Sequence, residues 1–360
     1  MVCMANTRPV IDTGEKARRL KERSDALALI DLYPVVSLTK GMEGTELSDL
    51  RALAARTADA GNSNGLYIPP MLSEDGKDIA NDGLFLAAMK EARRIGIPIS
   101  CHCDFGGDEA EAAKKAGQNR SVWSRIEENN AVRRVIALGK EAGCHIHIAH
   151  VSTKEAVEMI RQAKAAAKAA VKAESCDASN SGFTLTCEAM PHNLCLTGED
   201  AHRLGDETWG RVNPPLRSEE DRKALVQAVA DGTIDAIATD HAPHSEADKE
   251  KGAPGFSGFE TAFAAVYTEL VRGSVIDLKR LSSLMSARPA RLLGFGASHK
   301  RGRILNGYRA DLVVLDTERP WIVDPETFKT RGKNSPFAGR ELFAEILMTL
   351  NEGRVVFDKR

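Results

Sequence analysis

The chain lacks the features that mark several broad protein classes. Its 49 lysines and arginines nearly match its 51 aspartates and glutamates, for a formal net charge of −2. That balance gives no reason to expect nucleic acid or a membrane surface as a partner. No apolar run approaches the ~20 residues of a membrane span, and no signal peptide opens the sequence. The seven cysteines, Cys3, Cys101, Cys103, Cys144, Cys176, Cys187 and Cys195, are odd in number, and no pair has zinc-knuckle spacing. Reduced thiols in a cytoplasmic protein are expected. In Cys101-His102-Cys103 the thiols of a strand point away from the face that carries His102, so both are read as packing residues. Two further absences matter. No histidine precedes His102, and Met1-Val-Cys-Met-Ala-Asn-Thr leaves no room for a strand ahead of Val2–Met4.

What is present is an alternation. Apolar, β-rich segments occur at Val2–Met4, Pro34–Leu38, Gly65–Ile68, Ile97–His102, His145–His150, Thr184–Ala189 and Ile234–Thr239. Amphipathic runs at Leu47–Ala60, Asn81–Ile95, Arg125–Ala142, Thr153–Ala173 and Ser218–Asp231 separate them. Strand and helix alternating in this way predict a parallel sheet covered by helices. The count is seven strands, and a closed barrel of this class has eight. The chain is therefore expected to begin inside the second strand of a barrel, or else not to form a closed barrel. Ala163–Gly182 reads as a helix running into a polar surface insertion. After Leu293 the texture changes: Gly302–Asp316 reads as a turn followed by a strand, and Phe343–Leu350 and Arg354–Phe357 read as further strands. This predicts a barrel over 1–296 and a small β-rich appendage over 297–360, too short to bury much core alone.

The chemistry-bearing residues stand at strand ends. Ile234 to His244 is an apolar run that stops at Asp240, His241 and His244. At the C-terminal end of a parallel strand such groups can face a cleft, and Asp beside His suits zinc. The alternative is that Asp240 is an N-cap opening the next helix. His102 and His150 end two other apolar strands. Strand parity puts Ile146, Ile148 and His150 on one face and His145 and His147 on the other. Two such histidines at successive strand ends, with Asp240 at a third, favour ligands over core histidines. Asp75 in Ser-Glu-Asp-Gly is either a turn residue or a carboxylate able to bridge two metal ions. Asn6 and Asn213 are substrate contacts or turn residues. The charged stretch Ser245–Gly255 reads as a mobile loop, either one that closes over substrate or plain surface.

Met4-Ala-Asn-Thr-Arg-Pro, Ser73-Glu-Asp-Gly, His102-Cys-Asp, His150-Val-Ser-Thr-Lys, Thr186-Cys-Glu-Ala-Met-Pro-His, Val212-Asn-Pro-Pro-Leu-Arg, Thr239-Asp-His-Ala-Pro-His and Asn334-Ser-Pro-Phe-Ala-Gly occur in this order. Together they resemble the dihydroorotases of the amidohydrolase superfamily, in the Bacillus-type class, nearly end to end. The resemblance implies a TIM-like (β/α)8 metal-dependent hydrolase barrel with a small β-sandwich. It implies reversible cyclisation of N-carbamoyl-L-aspartate to L-dihydroorotate, in pyrimidine biosynthesis. Asp75 matches the bridging metal ligand, and His102 and His150 match ligands of one zinc. Asp240 matches a ligand of the other zinc and the catalytic acid/base, acting with metal-bound hydroxide. Asn6, Asn213, His244 and the Pro254-Gly255 backbone match substrate contacts.

The departures are specific. The family's first strand carries His-x-His followed by Arg, and this sequence has neither. Glu74-Asp75-Gly76 stands for Asp-Asp-Gly, and Ala5 for Pro. The expectation is a chain without the N-terminal segment of the first barrel strand, impaired in activity, holding at most one zinc where the family holds two. Two other readings stand beside it. One is a different cyclic amidohydrolase, an allantoinase or hydantoinase, whose usual carboxylated-lysine bridge is replaced here by Asp75. The other is a non-catalytic subunit scaffolding aspartate carbamoyltransferase. The resemblance also leaves room for a homodimer.

Overall fold

The computed structural model describes residues 1–54, 67–76, 78–173 and 182–359. The chain falls into two compact units. The first comprises Met1–Gln118, Arg125–Ala149 and Glu158–Thr186. The second comprises Asn119–Ser124, His150–Val157 and Cys187–Arg360.

In the first unit β1 (Val2–Cys3) pairs parallel with β2 (Tyr33–Pro34), and α1 (Gly14–Leu27) lies between them in sequence. Val35 N continues the pairing to Cys3 O, and Val36 bridges to Leu72 of β3 (Leu72–Ser73). The short α2 (Leu50–Ala54) follows β2. Parallel pairing continues from β3 to β4 (Ile99–Cys101) and from β4 to β5 (His145–Ile148). The helix joining β3 to β4 is α3 (Asp82–Ile95), capped by Asn81 Oδ1 at one end and by left-handed Gly96 at the other. Its buried residues Phe85, Ala88, Met89, Ala92 and Ile95 follow the helical spacing of a single face. On the strands, Ile99 and Ile146 are fully buried. Each such large side chain contributes ~1.5–3 kcal/mol when buried. α4 (Gly107–Lys115) and α5 (Arg120–Ala142) lead from β4 to β5, and α6 (Lys154–Ala173) leads to β6 (Thr184–Ala189). Residues 174–181 of the expected insertion, Cys176 among them, lie outside the described residues.

In the second unit the last residues of β6 pair parallel with β7 (Ala236–Ile237), Glu188 opposite Ala236. Between them lie the short α7 (Pro191–Cys195) and α8 (Gly198–Leu204), then α9 (Glu219–Asp231). A reciprocal Ser218–Asp221 capping box starts α9. α10 (Glu246–Glu250) follows β7. β8 (Leu312–Asp316), β9 (Trp321–Ile322), β10 (Glu341–Leu342), β11 (Glu345–Asn351) and β12 (Arg354–Asp358) come next. They form an antiparallel β12-β11-β8 sheet and a β9–β10 pair. Leu196, Val212, Leu216, Phe256, Phe328 and Phe337 belong to the buried core of this unit.

The parallel strands arrive in the expected order; β6 keeps its expected bounds and the others are shorter. One is displaced. The strand expected at Gly65–Ile68 is not formed by Tyr67 and Ile68, the part of it that is described, and β3 starts at Leu72. Pro69 and Pro70 explain the delay, because neither has an N–H for a ladder. Of the expected helix Leu47–Ala60, the part through Ala54 is described, and it is helical from Leu50.

Candidate active site

Three strand-end segments of the first unit meet at Asp75. The turn after β3 sends its two acids in different directions. Glu74 is buried, where its carboxylate accepts from Thr39 N at 3.0 Å and from Thr39 Oγ1. Burial raises its pKa above the ordinary carboxylate range. Asp75 turns instead to His102 and Asn6. Its Oδ1 lies 3.3 Å from His102 Nε2, and its Oδ2 accepts from Asn6 Nδ2. His102 Nε2 is also 3.1 Å from Ser73 Oγ. Three residues that the sequence singled out, Asn6, Asp75 and His102, are therefore together.

In the second unit His150 stands just past β5 and Asp240 just past β7. Both take left-handed backbone conformations, φ +33° and +45°, as does Cys103 after β4 at +54°. Non-glycine residues held there cost ~1–3 kcal/mol each and cluster at functional sites. The strain turns the chain sharply at the strand end. Burial raises the Asp240 pKa; His150 opposes the rise and Glu188 of β6 adds to it. Asp240 caps no helix: the next one, α10, is capped by Ser245, whose Oγ accepts from Asp248 N at 3.2 Å. The N-cap alternative for Asp240 is thereby removed.

The remaining residues of the run separate by task. His241 Nδ1 accepts from Gly258 N and Phe259 N at 3.1 and 3.2 Å. Its Nε2 therefore carries the proton and donates to Thr330 Oγ1 at 3.1 Å. The ring stacks on Phe259 at 3.7 Å, and burial lowers its pKa. Both nitrogens are committed to holding the loop. His244 Nε2 donates to Pro254 O at 2.9 Å. Gly255 takes φ +143°, and a Cβ there would lie 2.6 Å from Ala242 O, so only glycine fits. Asn213 is exposed, its Oδ1 accepting from Arg120 Nη2 at 3.3 Å.

His145 and His147 share one partner, in keeping with the single face that strand parity assigned to them. Both meet the Thr186 hydroxyl, at 3.0 and 2.9 Å. Cys101 and Cys103 are buried, with thiol pKa values pushed up by burial, in keeping with packing residues.

One expectation needs correcting. Ser245–Gly255 is not a plain mobile loop. It contains α10 and a fully buried lysine, Lys249, whose ammonium donates to three backbone carbonyls. Composition alone, Ser-Glu-Ala-Asp-Lys-Glu-Lys, reads as solvated surface. Arg217 was also missed. It is 5% exposed and donates to Ser152 Oγ, Ser121 O and Ser124 Oγ at 2.9, 3.0 and 2.8 Å, which ties down the segment after His150. A third omission is buried His192, beside Phe256, whose pKa is lowered to about 3 by burial and by His150. Its sequence signal was Pro-His directly after a strand.

Among the described residues no three His, Cys, Asp or Glu side chains are grouped so as to hold an ion. Asp75 with His102 in one unit, and Asp240 with His150 in the other, are two-residue sets. A catalytic zinc takes three protein ligands, so neither set fits that ion by itself.

A model of the amidohydrolase family matches residues 2–356. The chain belongs to the amidohydrolase family. A dihydroorotase from Geobacillus sp. (strain WCH70) is 37% identical over 368 residues, covering 100% of this chain and 79% of that protein. A dihydroorotase from Lactiplantibacillus plantarum is 35% identical over 365 residues, covering 99% and 78%. Among solved structures, L-hydantoinase (dihydropyrimidinase) from Arthrobacter aurescens matches with a TM-score of 0.80 at 25% identity, over 99% of this chain and 77% of that one. D-hydantoinase from Thermus sp. matches at 0.77 and 22%, over 99% and 76%, a likeness of fold. The fold class is thus the TIM-like α/β hydrolase barrel of this family, as the resemblance implied, and the strand–helix alternation had predicted its helix-covered parallel sheet. No described helix is long and apolar enough to cross a membrane.

Proposed function

We propose that this chain acts on the dihydroorotate ring, interconverting L-dihydroorotate and N-carbamoyl-L-aspartate. The observation that carries the reading is whole-chain similarity at 35–38% identity to proteins named dihydroorotase. In the hydrolytic direction a water oxygen bonds to the ring carbonyl carbon. The Asp240 carboxylate takes the proton that the water gives up. It then passes that proton to the ring nitrogen as the carbon–nitrogen bond breaks, leaving the carbamoyl amine and a carboxylic acid that ionises by losing water's second proton to solvent. A carboxyl whose pKa is raised toward the working pH suits both halves of that transfer, and burial moves Asp240 that way. Asn6, Asn213, His244 and the Pro254–Gly255 backbone are the proposed substrate contacts.

Dihydroorotases of this family are metal-dependent. Zinc as the metal, and Asp75, His102, His150 and Asp240 as its ligands, are part of the proposal. The described residues of each unit supply two of these four, so no step above is assigned to an ion.

The solved hydantoinases favour a second reading, hydrolysis of a hydantoin or dihydropyrimidine ring. One assay separates the two. Turnover of L-dihydroorotate, followed by loss of its ultraviolet absorbance, is expected to exceed turnover of hydantoin and dihydrouracil. Hydantoin turnover without dihydroorotate turnover overturns the first reading.

A further inference from the structure

A lysine with no exposed surface is unusual, because an ammonium is rarely taken out of water without a carboxylate. Lys249 is 0% exposed. Among the described residues no carboxylate pairs with it. Its Nζ donates to Ala253 O at 2.7 Å, Arg211 O at 2.9 Å and Gly255 O at 3.1 Å. The three protons of an ammonium are thereby matched to three carbonyls. The Phe256 ring lies 5.6 Å from Nζ and closes another side.

The carbonyls belong to the backbone that carries the proposed substrate contacts. Gly255 O also accepts from Asn334 Nδ2 at 3.1 Å, and Gly255 N donates to Arg211 O at 3.0 Å. One residue earlier, Pro254 O receives the His244 Nε2 proton. The short α10, capped by Ser245, delivers Lys249 into this ring of acceptors. The turn closes behind it through Gly252 N to Lys249 O at 2.8 Å.

We propose that Lys249 is a positioning residue of the substrate site: its buried ammonium gathers the Arg211, Ala253 and Gly255 carbonyls to one point and so sets the Pro254–Gly255 backbone and His244 for the substrate. This rests on the reading of the chain as acting on dihydroorotate through those contacts. A proton count gives the arrangement a pH dependence. Burial, with Arg211 and Arg120 adding like charge, lowers the Lys249 pKa to about 8. Arg211 is itself paired with Glu207 at 3.5 Å. On the lysine's own turn, Asp248 is bonded to Ser245, and Glu250 and Lys251 are exposed. Above about 8 the neutral amine keeps two protons for three carbonyls.

The test is Lys249→Met in the full chain, with two readouts. Hydrogen exchange of residues 250–257 at one fixed pH needs no substrate. About tenfold faster exchange there is expected, with β6 and α9 unchanged. Calorimetric binding of L-dihydroorotate reads the consequence. A Kd raised about tenfold is expected, together with loss of a wild-type weakening as pH rises through about 8. Wild-type exchange or wild-type affinity in the variant overturns the proposal. Should Met lower protection throughout the chain, Lys249→Arg, which stays charged, decides: restored protection of 250–257 supports positioning, and its failure to restore overturns it. Failure of the wild type to bind dihydroorotate sinks the functional reading instead, and the exchange measurement still decides whether Lys249 fixes this backbone.

Discussion

Gly255→Ala is the sharpest probe of the backbone that Lys249 holds. Gly255 sits at φ +143°, a region essentially restricted to glycine. An added Cβ would stand 2.6 Å from Ala242 Cβ, 2.6 Å from Ala242 O and 3.1 Å from His244 Nε2. The Ala242 backbone cannot simply withdraw, because Ala242 N donates to Phe256 O at 3.0 Å and His241 bridges Phe256. The dihedral strain is ~1–3 kcal/mol. Overpacking against a fixed backbone adds ~1–3 kcal/mol. A loss of about 2–6 kcal/mol is expected in total. Gly339→Ala is the control: its φ is +74° and nothing lies within 4 Å of the added Cβ. It carries only the left-handed penalty, ~1–2 kcal/mol. Urea unfolding of both variants, compared at a common slope, reads the difference. A Gly255→Ala loss no larger than that of Gly339→Ala refutes the geometry around Ala242.

Other consequences are measured separately. Asp240→Asn keeps the shape and removes the proposed proton carrier, so kcat is expected to fall ~10²–10⁴-fold with circular dichroism unchanged; retained turnover would assign the proton transfer elsewhere. Lys249 also enters the pH dependence of stability. Its folded pKa is lowered from 10.5 to about 8, so the unfolded chain binds the proton more tightly. The cost of burying the charge is fully present below about 8 and is relieved as pH rises toward 10.5. Wild type is therefore expected to gain stability relative to Lys249→Met across that interval, while its affinity for substrate falls; a constant difference contradicts the lowered pKa. For His241, nitrogen NMR is expected to show the neutral Nε2–H tautomer near pH 6, and an imidazolium signal there would contradict the two amide donors at Nδ1.

Side-chain period made most of the fold legible. The alternation of Ile97, Ile99 and Cys101, and of Ile146 and Ile148, states a strand whichever helix covers it. The 3.6-residue spacing of Phe85, Met89 and Ala92 states α3, and Asn81 and Gly96 state its ends. The displaced β3 came from weighting the apolar character of Tyr67 and Ile68 above the missing donors of Pro69 and Pro70. Parity was equally informative: it separated His150 from His145 and His147, and the Thr186 hydroxyl now accounts for the latter two. Asp75 was readable for a related reason. A strand end followed by Gly76 must turn, and of two adjacent acids one turns with Asn6 and His102 while the other is buried on Thr39.

Two of the residues that escaped, Lys249 and Arg217, have partners of the most ordinary kind, backbone carbonyls and serine hydroxyls. Lys249 bonds carbonyls of residues 211, 253 and 255, and Arg217 bonds a carbonyl and two serine hydroxyls. Every residue has a carbonyl, so no pattern of side-chain types announces where three will converge. The composition of such a segment points the wrong way, since lysine beside glutamate and aspartate is the mark of a solvated face. The compensating sign is local backbone chemistry. Gly252 at φ +83° and Gly255 at φ +143° flank the carbonyls that Lys249 collects, and neither position has space for a Cβ. A charged loop carrying two such glycines next to a strand-end Asp-His run is thus better read as an anchored segment, in which the cation is satisfied from inside and the glycines let the chain bend around it.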